Sequence, residues 1–170
     1  GAGTGDVAPD PGHAGENYGF HMGGHDPSTG RVNIIQKFSF TSDGNATDHG
    51  DMTYAHNNGM CASSKTDGFH MGGYLSSTTD TIGKFAFSSN TTAADHGDLA
   101  RPNNYGIGLS SPTHGYSAGG TLQNGSFESN EVSKFAFTSN TTAADVGTLH
   151  VASAESGGAS SLTDGFVVGG

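Results

Sequence analysis

Gly68-Phe69-His70-Met71-Gly72-Gly73 has three counterparts in this chain: Gly19-Phe20-His21-Met22-Gly23-Gly24, Gly115-Tyr116-Ser117-Ala118-Gly119-Gly120 and Gly165-Phe166-Val167-Val168-Gly169-Gly170. The Gly-Gly pairs lie 49, 47 and 50 residues apart. A second block keeps step with the first: Lys37-Phe38-Ser39-Phe40, Lys84-Phe85-Ala86-Phe87 and Lys134-Phe135-Ala136-Phe137. The glycine pairs and Phe38, Phe85 and Phe135 are therefore read as structural repeat positions. A fixed period of roughly 40 to 50 residues, rich in short strand patterns, predicts propeller blades or another stacked array.

Within a unit the local signals are those of strands and turns. Tyr105-Gly106-Ile107-Gly108-Leu109 alternates large and small residues, as a strand with one crowded face does. Thr66-Asp67-Gly68 and Thr163-Asp164-Gly165 place Asp-Gly between two short apolar runs, a strong hairpin signal. The segment after each Gly-Gly varies in length and reads as a loop: His25 to Asn33, Tyr74 to Thr81, and Thr121 to Asn130. A strand of period two follows, in which Ile82, Lys84 and Ala86 share one face while Phe85 and Phe87 share the other. Ser89 to Asp95 reads as a polar turn, and a last short strand is expected near Gly97 to Ala100. No window repeats apolar residues at helical spacing for three turns.

Composition agrees with this reading. Gly supplies 29 of 170 residues, Trp is absent, and apolar residues are only 32%. So few apolar residues would suit a disordered chain, but here they recur at fixed places. Abundant Gly, Asn and Asp serve tight turns that need positive φ. Sixteen acidic against six basic residues give a net charge of −10, and no Lys/Arg cluster exists to neutralise phosphates, which argues against a nucleic-acid partner. A single cysteine, Cys61, rules out an intrachain disulfide framework and is expected as a small strand residue in or near the core. No segment has the length and apolarity of a membrane-spanning helix.

The order of hairpin, Gly-Gly, variable loop, aromatic strand, polar turn and short strand resembles the kelch repeat, in which Gly-Gly ends the second strand of a blade. The kelch pattern also expects a Tyr and a Trp further on. Phe38, Phe85 and Phe135 stand at the Tyr place, and the Trp has no counterpart. The phrase Lys-Phe-x-Phe-x-Ser-Asn-x-x-x-x-Asp-x-Gly-x-Leu, at Lys84 to Leu99 and Lys134 to Leu149 with a looser copy at Lys37 to Met52, resembles repeats of virion and tail-fibre-like proteins of marine bacteriophages. The resemblance implies a particle-surface or adhesin role on a virion or other extracellular surface.

The expected fold is thus all-β, a kelch-like β-propeller segment of about three and a half four-stranded blades. It forms one repeat domain over 1–170, with a partial blade at 1–24 and units at 25–73, 74–120 and 121–170. The chain opens Gly1-Ala2-Gly3 without Met, so processing or a longer parent chain is expected. Three and a half blades do not close a ring easily. More of the same chain, a second copy, or a small ring or open stack are the alternatives.

Candidate chemistry is sparse. His21 and His70 occupy equivalent places, as do His49 and His96 inside Asp48-His49-Gly50-Asp51 and Asp95-His96-Gly97-Asp98. A metal reading would draw on His49, His96, Asp48 and Asp95, since transition metals accept imidazole with carboxylate. Ordinary strand and turn roles are the competing reading, no spaced ligand motif supports a metal, and no metal or cofactor is assigned. Asp43 to Asp48 offers oxygens as a calcium loop would, but it lacks the bidentate Glu and the flanking helices. An Asx turn explains it equally. Sequons stand at Asn45, Asn90, Asn124 and Asn140. No nucleophile elbow, phosphate loop or paired catalytic carboxylate motif appears, and no catalytic residue is assigned. Ligand contacts are placed in the variable loops at His25, Tyr74 and Phe127, aromatic and imidazole groups suited to a protein or glycan surface. A cellular kelch-like protein-binding module, or an enzyme with a channel-sited or metal-dependent centre, are the alternative functions.

Overall fold

The computed structural model describes residues 17–122 and 127–170, and among them every regular element is a β-strand. The first sheet holds β1 (Tyr18–Met22), β4 (Ile34–Ser39) and β5 (Thr47–Asp51), with a separate hairpin of β2 (His25–Asp26) and β3 (Gly30–Arg31). The second sheet is β6 (Met60–Ser63), β7 (Asp67–Met71), β8 (Thr81–Ala86) and β9 (Ala94–Asp98). The third is β10 (Ile107–Ser110), β11 (His114–Ala118), β14 (Glu131–Ala136) and β15 (Ala144–Thr148), with a hairpin of β12 (Thr121–Leu122) and β13 (Phe127–Glu128). The fourth is β16 (Gly157–Ser160) and β17 (Gly165–Val168). Neighbours in every sheet are antiparallel and follow chain order. The all-β expectation holds as several small antiparallel sheets. Of the expected partial unit at 1–24, residues 1–16 lie outside the described residues, as do 123–126 of the third loop and with them Asn124.

The sheets stack through repeated aromatic contacts. Phe20 of the first sheet stacks on Phe87 of the second, with centroids 4.6 Å apart, and meets Phe85 edge-on at 5.6 Å. Phe69 of the second sheet repeats this against the third, stacked on Phe137 at 4.8 Å and edge-on to Phe135 at 5.4 Å. Met60, Met71, Ile82 and Leu99 complete that second layer, and Ile35 and Met52 the first. Ile107, Leu109 and Ala118 form a third layer with Tyr116 and Val167. Period two therefore assigns faces as expected, Ile82 pointing to the third sheet and Phe85 to the first.

Two local readings differ from expectation. Asp67 and Asp164 are not turn centres: Asp67 opens β7, and the turn is built by serine. Ser64, Ser111 and Ser161 Oγ accept the backbone N–H of Asp67, His114 and Asp164 at 3.0, 3.1 and 2.9 Å. A serine hydroxyl closing a three-residue turn does the work assigned to Asp-Gly. The last strand also begins earlier, at Ala94 rather than Gly97. Gly83 pairs with Asp95 and Ile82 with Gly97, so His96 is the extra residue of a β-bulge. Asp95 Oδ1 accepts from Gly97 N at 3.2 Å, and Gly97 holds φ +113°. A bulge re-aims its extra side chain, and here it turns His96 toward the third sheet.

All eight glycines of the Gly-Gly pairs have positive φ, between +56° and +112°. There the chain leaves the second strand of its unit and touches the connection that follows. Gly24, Gly73 and Gly120 N donate to His56, Asn103 and Ser153 O at 3.0, 2.9 and 2.8 Å. A Cβ on Gly23 would stand 2.7 Å from His56 O. Both the conformation and the close approach demand glycine.

Candidate functional site

The segments after the Gly-Gly pairs are more ordered than loops. His25–Asp26 and Gly30–Arg31 pair as β2 and β3, and Thr121–Leu122 pairs with Phe127–Glu128 as β12 and β13. Asp26 shapes the first hairpin tip by accepting the N–H groups of Ser28 and Thr29, both at 2.8 Å. Its hydrogen bonds, led by the Ser28 hydroxyl, lower the carboxyl to about 2.

Arg31 joins two of these segments. Its guanidinium lies 4.7 Å from the centre of the Tyr74 ring, and its Nε donates to Asn57 Oδ1 at 3.2 Å. Tyr74 is in turn fixed by backbone bonds with Asn57, its N–H donating to Asn57 O at 2.8 Å and its carbonyl oxygen accepting from Asn57 N at 3.2 Å. His25 is the register partner of Arg31. Two of the three residues proposed from the sequence, His25 and Tyr74, thus border one patch whose linking residues, Arg31 and Asn57, the sequence reading did not single out. A cation over an aromatic face is a long-range pairing that no local motif announces. Phe127 stands apart on β13, 61% exposed.

The histidines divide by their place in the stack. His49 and His96 are buried at the first two junctions, where Nε2 donates to Ala86 O and Ala136 O, each at 3.0 Å. A carbonyl only accepts, so the ring proton is on Nε2. Asp48 Oδ1 accepts from Gly50 N at 2.8 Å as Asp95 does from Gly97. Among the described residues no three His, Cys, Asp or Glu side chains gather as a metal site would require. Asp98 is held above the usual carboxylate range by burial, then by Asp80 and Asp95 nearby.

His70 is fully buried between the first two sheets, whereas its counterpart His21 is exposed on the outer face of the first. His70 Nδ1 lies 3.3 Å from His56 Nε2, and its Nε2 lies 3.2 Å from Thr53 Oγ1. His56 Nδ1 is buried without a hydrogen-bond partner among the described residues. Tyr54 packs on both rings and donates to Gly72 O at 3.0 Å. Burial lowers His56 to about 4; burial, then the neighbouring imidazole, lowers His70 to about 3.

Both rings are held neutral by the fold, so the unfolded chain binds protons first as pH falls. Their contribution is complete above about pH 6.5 and is lost below it at about 1.4 kcal/mol per pH unit for each ring. The loss runs down to the folded values near 4 and 3. Urea midpoints should therefore fall steeply between pH 6.5 and 4.5, and His70→Gln should flatten that slope. Parallel profiles for the two proteins would remove this pair as the cause.

Cys61 is not a core residue. It is exposed on β6, facing a cleft of about 450 Å³ that also takes in Tyr18, Phe20, Gly108 and Ser160. Its counterparts in β10 and β16 are Gly108 and Gly158, where neighbouring strands press together. No helix among the described residues is long and apolar enough to cross a membrane.

No protein-family model matches the chain, and no curated protein matches it.

Proposed function

We propose that this chain is a structural and adhesive surface protein, a propeller-type stack from a virion fibre or similar appendage that binds protein or glycan through its post-Gly-Gly segments. The scaffold half of this reading is supported by antiparallel four-stranded sheets in chain order, stacked by one recurring junction, as blades are. It is also supported by the neighbouring first strands of successive units. Ser63 N donates to Ser110 Oγ at 2.9 Å, and Ser110 N to Ser160 Oγ at 3.0 Å.

The observation that carries the binding half is the Arg31–Tyr74–Asn57 patch, which spans segments of two successive units on a rigid frame. An aromatic face beside a guanidinium and an amide is the chemistry that stacks on a sugar ring and hydrogen-bonds its hydroxyls. On a glycan array, the labelled chain should bind a subset of sugars, and Tyr74→Ala should weaken that binding about tenfold, the loss of a 1.4 kcal/mol contact. Binding unchanged by Tyr74→Ala would move the site elsewhere. No binding to any glycan or host-surface protein would sink the adhesive reading.

A further inference from the structure

Among the described residues the Arg31–Tyr74–Asn57 patch occurs once, although the places that build it recur. His25 faces Arg31 across β2 and β3, Tyr74 faces Thr78 across an isolated bridge, and Thr121 faces Glu128 across β12 and β13. Asn57 pairs with Tyr74 as Asn104 pairs with Thr121. In the later unit these groups satisfy each other: Thr121 Oγ1 donates to Asn104 Oδ1, and Asn104 is fully buried. In the earlier one they stay open, with Arg31 and His25 exposed and Tyr74 and Asn57 half-buried. Arg31 Nε is committed to Asn57 Oδ1, but among the described residues no carboxylate pairs with the guanidinium. The other arginine, Arg101, has Glu131 at 3.4 Å.

We propose that the sugar taken by this patch is anionic, its carboxylate or sulfate held end-on by the two terminal nitrogens of Arg31. The inference rests on the glycan-binding reading above and names the substrate class for that site. A guanidinium only donates, and its terminal N–H groups form a fork that matches the paired oxygens of an oxyanion. The Tyr74 ring and the Asn57 amide fix that fork before a ligand arrives, so less freedom is lost on binding. In a chain with 16 acidic and 6 basic residues, an arginine left without a carboxylate is the exception. Asp26, next to His25 in β2, does not supply one: its carboxylate is turned into the hairpin tip, onto the N–H groups of Ser28 and Thr29. His25, exposed on the strand beside Arg31, is placed to bond a hydroxyl next to the anionic group.

Calorimetry of the 170-residue chain with oligogalacturonate and its methyl ester, and with a sulfated galactan and its desulfated form, reads the two anionic groups separately. At least one charged sugar should bind about tenfold more tightly than its neutral form, as a hydrogen-bonded ion pair provides. Arg31→Gln should remove that preference with an unchanged urea midpoint. Arg31→Lys, which keeps the charge but not the fork, should retain only part of it. Equal binding of charged and neutral sugars, both weakened by Tyr74→Ala, overturns the inference and leaves the glycan-binding reading standing. No binding to any of the four sugars, or a preference that survives Arg31→Gln, overturns it too. Hexaglutamate bound as tightly as oligogalacturonate would overturn the saccharide class and make the ligand an acidic peptide.

Discussion

Gly108→Ala should unfold the centre of this protein, with a loss of about 3 kcal/mol or more. A Cβ at that position would lie 2.6 Å from the Cys61 amide nitrogen and closer still to its carbonyl carbon and oxygen. The obstacle is backbone of the neighbouring strand, which cannot rotate aside as a side chain can. The second and third sheets would have to part along β6 and β10, which also carry the Ser63 to Ser110 bond. Two companions grade the effect. Gly158→Ala meets the Ile107 side chain, β-branched but able to yield, and should cost less. Gly157→Ala meets nothing closer than Val168 O at 3.7 Å and should change stability by no more than about 0.5 kcal/mol. Urea denaturation of the three variants tests the order; equal losses at Gly108 and Gly157 would show that β6 and β10 do not press together.

Phe69→Ala should be the costliest side-chain truncation, at about 3 to 5 kcal/mol. Phe69 is fully buried and touches Phe135, Phe137 and His96 at centroid separations of 5.4, 4.8 and 5.0 Å. Its removal leaves a cavity between two four-stranded sheets that their backbone hydrogen bonds hold open. Phe166→Ala, the same repeat position on an exposed face, should cost well under about 1 kcal/mol. Where Phe69→Ala yields no soluble protein, Phe69→Leu keeps most of the volume, and its midpoint should fall between the wild type and that truncation extreme. A Phe69→Leu midpoint as high as that of the wild type would contradict the packing described.

Much of the stack was legible in the sequence because its signals are local and repeated. The Gly-Gly pairs mark where the backbone must turn left-handed, and all eight do. The Phe-x-Phe blocks mark strands whose alternate side chains serve two layers, and Phe85 and Ile82 divide as period two requires. The bulge at Asp95-His96-Gly97 was read as the end of a turn, because nothing local says that His96 will find a carbonyl on another sheet. The strand expected from Tyr105 opens only at Ile107, and neither Tyr105 nor Glu155 signals in sequence the left-handed φ of +57° and +55° that they adopt. They are held there by a unit-to-unit chain, Tyr105 N donating to Asn58 O and Glu155 N to Tyr105 O, both at 2.9 Å.

The candidate site was half legible. Tyr74 and His25 were found because variable segments on a repeat scaffold are where contacts lie. Arg31 and Asn57 were not, because they belong to different units and meet only when the sheets stack.

By itself the sequence determined the period, the strands, the faces of each strand and the places where only glycine fits, all consequences of spacing and of φ preferences within a few residues. Tertiary structure alone decided the fate of identical letters in identical repeat places. His70 is buried in a pair with His56 while His21 is exposed, and Phe85 and Phe135 lie inside the stack while Phe38 lies outside it. The letters cannot tell these apart, because burial depends on whether another sheet covers the face, and that is set by neighbours nearly fifty residues away.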